Sequence, residues 1–207
     1  MLIAWVRERF KLRLAVPLVA GLCAIAYAAG TWPGSGRAAA IVVLAILLLL
    51  QFRLWDDLAD LPSDRKNHPE RTLPRARSLR PFRIAVLLLA TACMGLMAVL
   101  DPSGVKVAAL AGLDLTFLCW YRFRAGGFAL GYHVVLMKYP LFVYFVTPEP
   151  AGKSRLFAMA AVYLAACIYE ALHDAGLRGI WAARYAAAVE ATLLGATGVA
   201  ALVGGGW

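Results

Sequence analysis

The sequence predicts an all-α membrane protein, a polytopic bundle of about seven transmembrane helices. Two observations carry this. Of 207 residues, 62% are hydrophobic, and the mean hydropathy is +0.72, where a soluble domain holds roughly half apolar residues. Apolar runs of about 17–25 residues, the length a helix needs to cross a bilayer, recur along the chain. They do not alternate, as the strands of a membrane β-barrel would.

The elements follow in order. An amphipathic segment over residues 1–11, WVRERF at its centre, is expected to lie along the membrane surface with Trp5 and Phe10 dipped inward. It is followed by seven apolar runs, Leu12–Trp32, Ala38–Leu54, Phe82–Leu100, Val105–Trp120, Phe128–Val146, Leu156–His173 and Tyr185–Val203. The first is long and has no small-residue cleavage site after it, so it reads as a span and not as a signal peptide. Pro140 is expected to break the fifth span locally. Trp32, Trp55, Trp120 and Trp181 suit an interfacial belt. The stretch GGFALG, from Gly126 to Gly131, reads as a close helix contact, because the strand–loop–helix context of a phosphate loop is missing. The whole chain, 1–207, is one membrane domain in this reading.

Net charge is +9. Sidedness accounts for it without nucleic acid. With a cytoplasmic N-terminus, sixteen basic residues fall on the cytoplasmic side, in the segments Arg7–Arg13, Arg53–Arg83 and Arg122–Arg124 and at Arg178 and Arg184. Four, Arg37, Lys106, Lys153 and Arg155, fall on the other. This is the positive-inside pattern, here of a multi-pass protein of a bacterial inner membrane. Cys23, Cys93, Cys119 and Cys167 lie in or beside apolar runs with no CxxC pair, and read as packing residues.

The densest charge stands in the cytoplasmic loop 53–81. Asp56, Asp57, Asp60 and Asp64 follow the second span directly. On a continued helix, Asp56, Asp60 and Asp64 share one face with Asp57 beside them. Like charges at that spacing repel, so the arrangement calls for a cation. Pro62 is expected to end or kink the helix, leaving Asp64 to reach in from a loop. Carboxylate oxygens suit Mg²⁺, and the basic run that follows suits phosphate, through the forked donors of arginine. A solvated loop obeying the positive-inside rule explains the basic residues as well, but not four aspartates. A second acidic pair, Glu170 and Asp174, lies four residues apart at the end of the sixth span, with His173 between them and Arg178 one turn on.

The stretch Asp56-Asp57-Leu58-Ala59-Asp60-Leu61-Pro62-Ser63-Asp64, followed by DRKNHPERTLPR, resembles the first Asp-rich motif of the UbiA superfamily of intramembrane prenyltransferases. Glu170 and Asp174 stand where that family carries its second. Asp56 replaces the usual Asn and Glu170 the usual Asp, and seven spans are counted against the family's nine. The shortfall leaves the substrate chamber open to lipid or closed by another subunit, as in a homo-oligomer. The resemblance implies a Mg²⁺-dependent transfer of a prenyl group from a prenyl diphosphate to a hydrophobic acceptor, aromatic or lipid. It implies Asp56, Asp57, Asp60, Asp64, Glu170 and Asp174 as metal ligands, and Arg65, Lys66, Arg71 and Arg178 as diphosphate contacts. Lys138, charged and inside the fifth span, either pairs with Asp114 or lines the chamber beside Tyr139 and takes part in catalysis. His133 reads as a packed or hydrogen-bonded histidine, and Glu190 as a lesser candidate for the same cavity. Two alternatives remain open. One is phosphoribosyl transfer to a lipid phosphate. The other is a non-catalytic transporter or lipid-binding subunit.

Overall fold

The computed structural model describes residues 1–123, 131–174, 177 and 179–203. Among these every regular element is helical, and there is no strand. The helices are α1 (Leu2–Arg9), α2 (Leu12–Ala28), α3 (Ser35–Ala59), α4 (Leu61–Asn67), α5 (Arg80–Leu100), α6 (Val105–Phe123), α7 (Tyr132–Leu136), α8 (Lys138–Val146), α9 (Lys153–His173) and α10 (Trp181–Val203). Three of them, α3, α5 and α9, are long and apolar enough to cross a membrane. The run Gly126–Gly131 lies outside the described residues except for Gly131.

Local chemistry sets several boundaries. Gly34 precedes α3 with φ of 78°, a left-handed conformation that glycine reaches without a steric cost. Pro62 sits in the first turn of α4, where its missing N–H is no loss. Pro81 does the same for α5. Before α6, the Asp101 carboxylate accepts the Ser103 N–H and hydroxyl and the Lys106 N–H. The Ser103 hydroxyl is the main cause holding the Asp101 carboxyl below its usual value. Pro140 cannot donate to residue 136 and its ring crowds that carbonyl. The helical hydrogen-bond pattern is accordingly interrupted at Met137, which keeps helical torsions (φ −57°, ψ −19°) and divides α7 from α8.

Two expectations need correction. The segment 53–81 is not a loop over its first half: α3 continues to Ala59, and α4 follows after the single residue Asp60. Asp64 therefore sits on a helix. Pro62 starts a helix here as well as ending one. Trp5, in turn, does not dip into lipid. It is 2% exposed and packs with Leu54, Leu61, Leu73, Phe82, Ala85 and Val86.

The chain forms two compact units. The first, Met1–Cys23 with Gly34–Asp114, is built on α3 against α5, with α4 beside α3. Its core includes Leu44, Leu48, Phe52, Phe82 and Met97. The second, Ala24–Pro33 with Leu115–Trp207, centres on α9, against which α10, α8 and α7 pack. Within it the stretch just after α2 is stitched to the start of α9 and to the segment before it. Ser154 donates to the Ala29 carbonyl at 2.9 Å, and Thr31 to the Glu149 carbonyl at 3.3 Å.

Candidate functional site

The first unit collects the aspartates. Asp57, on the last turn of α3, is 4% exposed, and Asp64, on α4, is 8% exposed. Both face Arg9 of α1. The Arg9 Nε lies 2.9 Å from Asp57 Oδ2, and its Nη2 lies 3.1 Å from Asp64 Oδ2. One planar guanidinium thus bridges two carboxylates, a geometry its fixed fork of donors permits. The other oxygens also have cations. Arg53 Nε lies 3.5 Å from Asp57 Oδ1, and Arg71 Nη1 lies 2.7 Å from Asp64 Oδ1. The Trp5 indole N–H donates to Asp57 Oδ2 at 2.9 Å. Beside Arg9, Glu8 accepts the N–H and the hydroxyl of Thr72. Burial alone would raise the Glu8 carboxyl. The two Thr72 hydrogen bonds, with Arg9 and Arg71, bring it below its ordinary value.

The other predicted positions of this segment are less buried. Asp56 is half-buried, Asp60 exposed at the junction of α3 and α4, and Arg65 and Lys66 exposed on α4. Asp114 accepts from the Gln51 Nε2 at 2.8 Å.

The second unit holds the remaining predictions. Glu170 is in the last turn of α9, but Asp174 has left the helix. It is the C-cap, with extended backbone at φ −71° and ψ 122°. Its carboxylate accepts the Leu177 N–H at 3.1 Å. The expected i, i+4 pair on one helix face is therefore broken at its second member. Arg178 lies outside the described residues. Lys138 is 4% exposed, at the start of α8, with its ammonium 5.5 Å from the centroid of the Tyr139 ring. His133 is hydrogen-bonded, as expected of it: its Nδ1 lies 3.3 Å from the Tyr163 hydroxyl. An apolar pocket of about 260 Å³ opens between the end of α2, the first half of α9 and the second half of α10.

Arg9, Trp5 and Gln51 were not singled out as site residues from sequence. For Gln51 a signal existed: a lone amide in the run LLLLQF. For Arg9 none did, since a basic residue in an amphipathic segment has its own explanation.

The Asp centre can be tested for fit to the divalent cation that the Asp-rich pattern suggests. The donors are carboxylate oxygens, the ligands Mg²⁺ takes. In kind they fit. Among the described residues, however, the four aspartates do not bring three carboxylate oxygens within reach of one ion, and both oxygens of Asp57 and of Asp64 are met by arginines. Arg9 and Arg71 stand on the same oxygens that a metal would use.

The described residues define a helical protein with three helices long and apolar enough to cross a membrane, and a buried carboxylate–guanidinium network at the end of one of them. No family model, curated protein or solved structure matches the chain.

Proposed function

We propose that this chain is a Mg²⁺-dependent intramembrane prenyltransferase of the UbiA kind. It would have seven spans, with its N-terminus and Asp centre on the cytoplasmic side of a bacterial inner membrane. The observation that supports the reading is the convergence of Asp57 and Asp64, from two helices, on one guanidinium, with Arg53 and Arg71 alongside. A metal diphosphate needs both halves of such a centre, carboxylates for the ion and guanidiniums for phosphate oxygens.

In this reading Asp56, Asp57, Asp60 and Asp64 would hold Mg²⁺, which would supply Lewis-acid neutralisation of the diphosphate leaving group. Arg65, Lys66 and Arg71 contact the leaving group and orient it. The apolar helices keep water from the allylic carbon until it bonds to the acceptor. The acceptor is hydrophobic, aromatic or lipid.

The test is binding of a short prenyl diphosphate to the purified chain by titration calorimetry, with and without Mg²⁺. The expected result is Mg²⁺-dependent binding, weakened at least about tenfold by Asp60→Asn, a surface change that leaves the buried pairs intact. Equal binding by wild type and variant would count against the reading.

A second reading rests on a specific observation. Both oxygens of Asp57 and of Asp64 already face cations of the chain itself. A non-catalytic lipid-binding subunit would use the network as an internal clamp, and would bind prenyl diphosphate with no need of Mg²⁺.

A further inference from the structure

The second unit contains a buried group of side chains that prenyl transfer does not use. His133 of α7, Cys167 of α9 and Glu190 of α10 each bring one donor atom within 4.8 Å of the other two. Cys167 is 0% and Glu190 6% exposed. The imidazole stands between them. Its Nδ1 lies 3.4 Å from the Cys167 Sγ, and its Nε2 lies 3.4 Å from the Glu190 Oε1. The Tyr132 ring stacks on it with centroids 4.2 Å apart.

A hydrogen-bonded core cluster explains part of this and leaves a remainder. The second oxygen of Glu190, Oε2, is buried and has no hydrogen-bond partner. The Tyr132 hydroxyl is buried and has none either. Buried polar atoms are nearly always partnered, and a carboxylate oxygen among apolar helices is one of the costlier exceptions. The three donors are also of mixed kind, an imidazole nitrogen, a thiol and a carboxylate. Three such ligands with a fourth position left over are the set that borderline transition metals take.

We infer that His133, Cys167 and Glu190 form a mononuclear transition-metal site of the Zn²⁺ class. One pair already has the spacing of such a site: ligands about 2.1 Å from a tetrahedral metal lie about 3.4 Å from each other, and the Nε2 to Oε1 separation is 3.4 Å. All three donor atoms lie within 4.8 Å of one another. A metal takes only one ring nitrogen. With Nε2 as the ligand, Nδ1–H is left to donate to the Tyr163 hydroxyl, 3.3 Å away. A ligating imidazole is ordinarily fixed by such an outer hydrogen bond. Cys167 completes the set by turning its thiolate toward Nε2, and its proton passes to solvent on binding.

The test uses the full chain in detergent, stripped of metal and then titrated with Co²⁺ and with Zn²⁺. The result expected is one equivalent of metal retained after desalting. The Co²⁺ form should show the visible bands of a tetrahedral ion and a thiolate charge-transfer band. Cys167→Ser should abolish that band, and Glu190→Gln should weaken binding by about tenfold or more. Co²⁺ bound without a thiolate band in wild type would overturn the site, however the variants fold. So would the absence of retained metal in folded wild type. Prenyl diphosphate binding and its loss in Asp60→Asn are read separately, so failure of one proposal leaves the other standing.

Discussion

The indole N–H of Trp5 donates to the carboxylate of Asp57 at 2.9 Å, across 52 residues of sequence. This one bond turns an amphipathic N-terminal helix into a structural part of the centre. It places Arg9, one turn on, over Asp57 and Asp64 together. The aspartates that repel one another along the chain are thereby held by a cation from its beginning.

Removing Arg9 tests that account. Arg9→Ala leaves two buried carboxylates short of a partner, and should destabilise the chain by about 3 kcal/mol. Arg7→Ala, on the exposed side of the same helix, should change stability by no more than about 0.5 kcal/mol. Thermal unfolding of the two variants in one detergent makes the comparison. Equal effects would mean that α1 is held by charge in general and not by this bridge.

Acid should loosen the same segment at Glu8. Its carboxyl is shifted below the ordinary value of 4.5 by Thr72, Arg9 and Arg71, against the opposing effect of burial. A depressed carboxyl adds stability that is complete above 4.5 and is lost as pH falls through the folded value. Melting temperature followed from neutral pH downward should therefore fall below that point. In Glu8→Gln the acid loss should be smaller, because the group no longer titrates.

Gly30 is required by a close approach. A Cβ there would stand 2.6 Å from the Pro148 carbonyl oxygen and 3.1 Å from the Thr147 Cγ2. Gly30→Ala should cost about 1–3 kcal/mol, since backbone has to move. Gly21, within α2, has no atom within 4 Å of its Cβ position. There the same change should stabilise the helix by up to about 1 kcal/mol.

What the sequence made legible was whatever repeats locally. Apolar runs located the helices, and Pro140 marked the break between α7 and α8. The first Asp cluster was visible because four carboxylates after an apolar run have no role in charge topology. What stayed hidden were the pairings between distant segments. Trp5 reads as an interfacial anchor until its partner 52 residues on is known. Asp64 looks like a loop residue because Pro62 precedes it, although proline in a first turn starts helices readily. Asp174 looks like the next turn of α9, yet the helix ends one residue before it. Cys167 reads as packing until α7 and α10 bring His133 and Glu190 to it. Periodicity gives the face of a helix, not the residue that meets it.

The central claim, metal-dependent ionisation of a prenyl diphosphate, is tested most directly by pyrophosphate release. Purified protein in detergent would be given a panel of prenyl diphosphates with Mg²⁺, with EDTA, and with Asp60→Asn in place of wild type. The account predicts release that needs Mg²⁺ and falls by at least about a hundredfold in the variant. Folded protein that releases no pyrophosphate from any member of the panel, with aromatic and lipid acceptors supplied, would contradict it.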